Sequence, residues 1–252
     1  MSKPSIVFVH GAWHNSQYFE KTIALLQPLG YNCVAVDLPS VASKPPVTSL
    51  TEDIETIRAA VEEEVELGHK VLMHVHSYGG IPTTSALDGL SVNERREAGK
   101  VGGVSRLSFV SSFVLPQGVS VELGVGGPYA RPDWWLISED NQTIWGNGFK
   151  EMMYHDIPSE EADLYVSRLK PHAFATLTDT TRSAAYKKIP VSYLVCENDR
   201  AIPEVGQMAM ISSIEADGAT VEVERIRAGH CVHASHAKEV VDFIRRAAGE
   251  TI

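Results

Sequence analysis

Three side chains of this sequence could together carry out nucleophilic catalysis: Ser77, Asp199 and His230, in that order along the chain. A serine hydroxyl is a poor nucleophile near neutral pH, so it needs a base that removes its proton. Histidine suits that task best, and a carboxylate is needed to fix the histidine tautomer and stabilise its charged form. Such a set could transfer an acyl group to water through a covalent intermediate.

Ser77 stands where an apolar run gives way to a compact turn. Residues 71–75 are apolar apart from one histidine, residues 76–80 read His-Ser-Tyr-Gly-Gly, and residues 81–90 can form a helix. A serine at a sharp strand-to-helix bend projects clear of the backbone and can be approached from both sides. The alternative is a tight turn with an incidental serine, and only the rest of the chain can decide between the two.

The turn departs at one position from the usual Gly-x-Ser-x-Gly pattern, because Val75 holds the place of the first glycine. A β-branched residue there should crowd the bend. We expect small residues in the neighbouring strands to make room for Val75, with Gly79 and Gly80 giving the remaining clearance.

Ten histidines compete for the role of base, and His230 is favoured by its position in a Gly-His turn between the last strand and the last helix. His76 adjoins the serine, but neighbours at a sharp turn point apart, so we expect it either to pack in the core or to support the catalytic residues from behind. His233 and His236 are expected on or near the last helix, at the surface. The regular spacing of His230, His233 and His236 could suggest metal ligands. No cysteine or acidic partners accompany them, so we expect no metal.

The carboxylate could come from Glu197 or Asp199, which share one loop after a buried strand. Asp199 lies further past the strand and is therefore favoured. The other strand end considered, at residues 111–113, has no carboxylate. The order serine, aspartate, histidine is that of α/β-hydrolases. An oxyanion hole would be formed by the backbone N–H groups of Tyr78, after the nucleophile, and Ala12, after the first strand.

These residues must be positioned by strands that alternate with helices. The sequence predicts strands at 5–9, 31–36, 71–75, 106–114, 191–196 and 220–226, and helices at about 17–28, 51–67, 81–90, 204–216 and 234–248. This alternation predicts an α/β fold with a mainly parallel sheet of about six strands and helices on both faces. In such sheets ligands lie beyond the carboxyl ends of the strands, where all the candidate residues fall.

Residues 119–188 interrupt this alternation and carry three of the four tryptophans. We expect a hairpin within 134–145 and helices at about 159–170 and 176–186. The predicted division is an α/β-hydrolase core of residues 1–118 and 189–252 with an inserted cap subdomain of residues 119–188.

The aromatic residues of the cap could line a cleft or merely form a small core of their own. We predict a substrate pocket whose walls include five residues: Gly11, Trp13, Phe113, Trp134 and Trp135.

The composition fits one domain that acts on a small molecule. The chain has 252 residues and a net charge of −10, which argues against nucleic-acid and anionic-membrane partners. Its three scattered cysteines do not form a disulfide framework, and it has no stretch of signal-peptide or membrane-spanning character. We expect a cytoplasmic protein with a small-molecule substrate and no nucleic-acid or membrane partner, and we leave a homodimer open.

The chain resembles the α/β-hydrolase superfamily over nearly its whole length. The likeness is most specific at four motifs: Val-His-Gly-Ala-Trp-His (9–14), His-Ser-Tyr-Gly-Gly (76–80), Cys-Glu-Asn-Asp-Arg-Ala-Ile-Pro (196–203) and Ala-Gly-His (228–230). Together they are similar to the branch of plant methylesterases, the salicylate-binding esterase and the hydroxynitrile lyases, with its microbial relatives. That resemblance implies a mostly parallel core without the first two strands of the full fold, a cap, no cofactor, and small ester substrates with aromatic or cyclic acyl parts.

The lyases of this branch carry a threonine in the oxyanion loop and a lysine after the catalytic histidine. Gly11 and Cys231 hold those positions here, which favours hydrolysis. We therefore predict a serine hydrolase that cleaves an ester or lactone of a small, largely apolar molecule. Two alternatives stay open: the same triad used for carbon–carbon cleavage, elimination or cyclisation, and a non-catalytic small-molecule binder.

Overall fold

A six-stranded sheet runs through the computed structural model, which describes residues 3–252. These residues contain nine strands: β1 Ser5–Val9, β2 Cys33–Val36, β3 Lys70–His76, β4 Gly103–Val110, β5 Trp135–Ile137, β6 Thr143–Gly146, β7 His172–Ala173, β8 Val191–Cys196 and β9 Val221–Ile226. Six of them pair side by side in the order β2-β1-β3-β4-β8-β9, and every pairing is parallel. The predicted α/β fold is confirmed, and β9 lies at one edge of the sheet.

In the part of the chain that the structure describes, eleven α-helices connect and cover these strands. They are α1 Glu20–Leu26, α2 Thr51–Glu66, α3 Gly80–Ala86, α4 Val92–Glu97, α5 Val121–Gly124, α6 Phe149–Met153, α7 Ser159–Arg168, α8 Ala175–Thr178, α9 Glu204–Ala216, α10 Val232–Ser235 and α11 Ala237–Ala247. Short 3-10 turns occur at Ser16–Phe19, Gln27–Leu29, Ser77–Gly79 and Ala185–Lys187. None of the helices in the described part of the chain is both long and apolar enough to span a membrane.

The strand order places helices on both faces of the sheet. The chain moves outward from β1 to β2 and then back across β1 to β3, so right-handed crossovers put α1 and α2 on opposite faces. α2 packs with α3, and α1 packs with α11. The central strands read as nearly continuous apolar runs because both of their faces are covered, and every residue of β1 and β8 is buried.

Two predicted helices differ from those observed. The helix expected at 176–186 ends at Thr178, because the residues that follow bond to other segments: the Asp179 side-chain carboxylate accepts from Leu50 N–H, and Thr181 N–H donates to Val119 O. The last helix is broken at His236, whose φ of −133° and ψ of 46° are not helical.

Residues 119–188, the cap segment, carry a second sheet of their own. Its three strands pair antiparallel in the order β5-β6-β7, and the first two form the predicted hairpin. The segment reaches the loop after β1, because Trp13 Nε1 donates to Ile144 O at 2.9 Å. The division of the chain into a core and a cap subdomain stays a prediction.

Close backbone contacts hold the turn after β3 against its neighbours. A methyl group built on Gly80 would lie 1.9 Å from Phe113 O, and one on Gly79 would lie 2.6 Å from His10 O. Val75, however, has Val9 and Phe109 as its partners in the adjacent strands. The expectation of small strand neighbours around Val75 is therefore wrong, and the close approaches occur on the far side of the serine.

We predict that Gly80→Ala destabilises the protein, because the new methyl group must displace the Phe113 carbonyl. We expect the free energy of unfolding to fall by about 1–3 kcal/mol, the usual cost of overpacking. Urea denaturation followed by circular dichroism measures this.

The matched control is Gly206→Ala on α9, where the nearest atom to the new methyl group is 3.9 Å away. Because alanine favours a helix over glycine, we expect that variant to gain about 0.4–1 kcal/mol. Equal stability of the two variants would contradict the packing constraint.

Candidate active site

The three residues predicted to act together meet at the carboxyl edge of the sheet. Ser77 Oγ lies 3.0 Å from His230 Nε2, and His230 Nδ1 lies 2.8 Å from Asp199 Oδ2. All three side chains are buried. They come from the loops after β3, β8 and β9, so the parallel sheet brings together residues that are far apart in the sequence.

Ser77 occupies a strained turn between β3 and α3. Its φ of 54° lies in the left-handed region, which a non-glycine residue rarely adopts. Two bonds to its carbonyl oxygen hold this conformation: Phe113 N–H donates at 3.0 Å and Ser112 Oγ donates at 2.8 Å. The end of β4 therefore fixes the direction of the serine side chain.

Asp199 is oriented by its own loop and by α9. Its Oδ1 accepts from the backbone N–H groups of Ala201 and Ile202, both at 2.8 Å, which leaves Oδ2 to face His230. Gln207, fully buried on α9, donates from Nε2 to Ile202 O at 2.8 Å and so ties the helix to this loop. Glu197 points elsewhere and lies within ion-pair distance of Arg225.

The backbone of the His230 loop is held from several sides. His76 Nε2 lies 3.0 Å from His230 O, to which it donates. Asp156 of the cap segment accepts from Gly229 N–H at 2.7 Å. Cys231 N–H donates to Met153 O at 3.1 Å, also in the cap segment. Sequence reasoning missed Asp156, because no local pattern marks a residue whose partner lies far along the chain.

Two histidines hold the loop that follows β1. His10 Nδ1 donates to Gly11 O at 2.8 Å, and its Nε2 accepts from Leu38 N–H at 3.0 Å. His14 Nδ1 likewise donates to Ala12 O at 2.8 Å, while its Nε2 lies 2.7 Å from Tyr154 Oη. Both rings are therefore neutral, and burial lowers the pKa of His10 to about 4 and that of His14 to about 3.

Further histidines form a buried cluster behind His230. His233 Nε2 lies 2.8 Å from His74 Nε2, and His233 Nδ1 lies 3.2 Å from Tyr18 Oη. The expectation that His233 lies at the surface is wrong: its side chain is fully buried in α10. Burial lowers the pKa of His74 to about 3 and that of His233 well below its ordinary value. Within residues 3–252, no three His, Cys, Asp or Glu side chains are arranged to hold a metal ion.

A narrow cavity opens beside Ser77 and His230. Its walls are contributed by both the core and the cap segment: Ala12, Trp13, Ser77, Tyr78, Phe113, Val121, Val125, Pro132, Trp134, Trp135, Met153, Leu177, Ala201, Ile202 and His230. About 410 Å³ of it is free of atoms, a volume suited to a small molecule. We call this cavity the slot.

Four of the five predicted pocket residues line this slot. Gly11 does not, and instead faces the serine: a methyl group built on it would lie 2.7 Å from Ser77 Cβ. Trp13, two residues after Gly11, has a φ of 65°, which is a second strained backbone conformation at the site. Within residues 3–252, the backbone N–H groups of Ala12 and Tyr78, the predicted oxyanion donors, bond to no other group.

The side chain of Tyr78 anchors the residue after the serine. Its hydroxyl donates to Asp53 Oδ2 at 2.7 Å, and Asp53 Oδ1 accepts from Ser40 N–H at 2.8 Å. Asp53 is fully buried on α2, and burial raises the pKa of its carboxyl despite these two hydrogen bonds. This anchor holds the Tyr78 backbone beside the serine.

A family model described as the alpha/beta hydrolase family matches residues 6–243, nearly the whole chain. The chain belongs to the alpha/beta hydrolase family. It is 33% identical over 254 positions to the alpha/beta hydrolase nvfD of Aspergillus novofumigatus, with all of this chain and 99% of that protein covered. The family implies an enzyme, and the relatives include proteins named as hydrolases and as esterases.

The expected plant branch is also found among the relatives. The chain is 25% identical to Methylesterase 10 of Arabidopsis thaliana, covering 97% of this chain and 91% of that protein. The solved structure of the Arabidopsis methylesterase MES16 superimposes with a TM-score of 0.76 at 18% identity, covering 98% of this chain and 99% of that one. The resemblance to this branch is confirmed.

The buried neutral histidines predict a protein that loses stability in mild acid. A histidine whose pKa is about 3 when folded and 6.5 when unfolded binds its proton only in the unfolded state below about pH 6.5. Each such histidine therefore lowers the free energy of unfolding by about 1.4 kcal/mol for every pH unit below that value. Urea denaturation at a series of pH values should show a steep decline from pH 6.5 to 5.

The variant His172→Gln tests this, because burial lowers the pKa of His172 to about 3. We expect the decline between pH 6 and 5 to become shallower by up to about 1.4 kcal/mol per pH unit. Measurement above pH 7.5 isolates the packing cost of the substitution. An unchanged slope would contradict the assignment of a neutral buried ring.

Proposed function

We propose that the protein is a serine hydrolase that cleaves an ester or lactone of a small, largely apolar molecule. The observation that carries this proposal is the chain of short contacts from Ser77 through His230 to Asp199. This is the arrangement that activates a serine for attack on a carbonyl carbon. Ser77 and His230 both line the slot, so a substrate bound there would reach the reacting hydroxyl.

In the first half of the reaction, Ser77 Oγ forms a bond to the carbonyl carbon of the ester. His230 Nε2 takes the hydroxyl proton, and Asp199 stabilises the resulting imidazolium. The tetrahedral intermediate then collapses, the bond to the alcohol oxygen breaks, and His230 returns the proton to the departing alcohol. The acyl group remains bound to the serine oxygen.

The oxyanion of the tetrahedral intermediate would be bound by the Ala12 and Tyr78 backbone N–H groups. Two observations support this assignment. Both residues line the slot beside the serine, and neither N–H is bonded elsewhere within residues 3–252. The bonds from His10 and His14 to the same loop, and from Tyr78 to Asp53, would hold the donors in advance of reaction. One such donor typically contributes about 2.7–4 kcal/mol to transition-state stabilisation.

In the second half, water attacks the acyl carbon while His230 accepts a water proton. The bond to Ser77 Oγ breaks, the serine recovers its proton, and the carboxylic acid leaves. With a lactone the same steps release a single hydroxy acid, because the alcohol and the acyl group belong to one molecule.

The substrate class follows from the cavity walls and from the relatives. No Asp, Glu, Lys or Arg is among the residues that line the slot, so a charged substrate would lose its hydration without compensation. Trp13, Trp134 and Phe113 offer aromatic surface for a flat or cyclic group. The similarity to Methylesterase 10 supports ester cleavage.

We place this activity in the cytoplasm and assign residues 119–188 as the cap over the slot. The three cysteines are free thiols, and Cys196 and Cys231 are buried, which is typical of proteins kept in a reducing compartment. Seven residues of the cap segment line the slot and support the cap assignment: Val121, Val125, Pro132, Trp134, Trp135, Met153 and Leu177.

The decisive test is Ser77→Ala assayed on a panel of simple aryl and methyl esters and lactones. We expect kcat to fall at least about 10⁴-fold, because the nucleophile is removed. A fluorophosphonate probe should label the unaltered protein on Ser77 and leave the variant unlabelled.

Ser105→Ala is the matched control, since Ser105 Oγ bonds only to Val71 O at the opposite end of the sheet. That variant should retain full labelling and turnover. Ester turnover that survives in Ser77→Ala would rule out the proposed mechanism.

A further inference from the structure

One polar side chain in the cavity walls has no partner within residues 3–252. The indole nitrogen of Trp135 is buried and makes no hydrogen bond to any of these residues. Nine buried side-chain polar atoms of the described chain share this property, and Trp135 Nε1 is the one whose residue lines the slot. An indole N–H can only donate, so whatever satisfies it must be an acceptor.

Other polar side chains of the slot are already occupied. The Tyr78 hydroxyl donates to Asp53, and the Trp13 indole donates to Ile144 O at 2.9 Å. Ser77 and His230 bond to each other. Among the polar side chains of the slot, Trp135 therefore carries the buried donor that stays free within residues 3–252.

A buried donor that makes no hydrogen bond is energetically unfavourable. A buried polar group without a partner typically destabilises a protein by about 1–3 kcal/mol, so those that persist call for a specific explanation. Trp135 begins β5, where its backbone pairs with Gly146 of β6, and its ring packs edge-on against Trp134 at 6.2 Å between centroids. These contacts hold the indole in the wall of the slot.

We propose that Trp135 Nε1 is a substrate-binding donor that selects esters carrying one neutral hydrogen-bond acceptor away from the scissile carbonyl. The acceptor would be a ketone, ether or second ester oxygen on an otherwise apolar, flat body. A carboxylate is excluded, because no cationic side chain lines the slot to balance its charge. This inference rests on the proposed ester hydrolysis at Ser77.

The test compares matched esters on the unaltered protein and on Trp135→Phe, which keeps an aromatic ring and removes the donor. The probes are methyl phenylacetates that carry either an acetyl or an isopropyl group at the ortho, meta or para position. Acetyl and isopropyl have nearly the same shape, but only acetyl can accept a hydrogen bond. The readout is the ratio of kcat/KM for the acetyl ester to that for the isopropyl ester.

We expect the substitution to lower this ratio about five- to tenfold for at least one position, the range that one hydrogen bond typically supplies. Kinetics of the isopropyl esters should change little. The matched control is Trp145→Phe, because Trp145 lies on the neighbouring strand β6 and is not part of the slot. That variant should leave the ratio unchanged.

Competition by the same esters against fluorophosphonate labelling of Ser77 gives the corresponding affinity ratio for any ester that is not turned over. A ratio that is the same in both proteins at all three positions would overturn the proposed donor. An equal loss for acetyl and isopropyl esters would assign Trp135 a purely structural role and would overturn it as well. Failure of Ser77 to react with the fluorophosphonate would instead count against the proposed hydrolysis.

Discussion

The geometry of the site depends on how tightly the turn after β3 packs against the ends of its two neighbouring strands. Gly79 meets the end of β1, and Gly80 meets the carbonyl of Phe113 after β4. These contacts leave no room for a Cβ atom and force Ser77 into a left-handed backbone conformation. The strain is held by bonds from residues 112 and 113 to the serine carbonyl, so the sheet itself aims the hydroxyl.

Behind the site, the supporting hydrogen bonds are made by neutral histidines rather than by charged side chains. His10 and His14 tie down the loop after β1, His76 holds the backbone of His230, and His74 bonds to His233. Burial lowers the pKa of His10, His14, His74, His76 and His233, so they act as fixed hydrogen-bonding groups at neutral pH. Catalysis by oriented dipoles requires polar groups that are held in place before the reaction. The same buried histidines lower the free energy of unfolding in acid.

The cap segment contributes to the site in two ways. It supplies half-buried aromatic walls to the slot, and it also binds the loops that carry the proposed acid and base. Asp156 accepts from Gly229 N–H, Met153 O accepts from Cys231 N–H, and Arg200 donates to Glu151 O at 3.2 Å. A displacement of the cap segment would therefore move the loop of His230 as well as the walls of the slot. Changes in the cap should alter both substrate choice and rate.

The sequence by itself determined the alternation of strands and helices, the bend at Ser77 and the order of the chemically useful residues. These are local properties: buried strands are apolar runs, sharp turns need small residues, and β8 and α9 were predicted to the residue. Only the tertiary structure decided that Asp199 contacts His230, that His233 is buried, and that Trp135 Nε1 lacks a partner. Each depends on which distant segments meet, and no periodicity along a single chain records that.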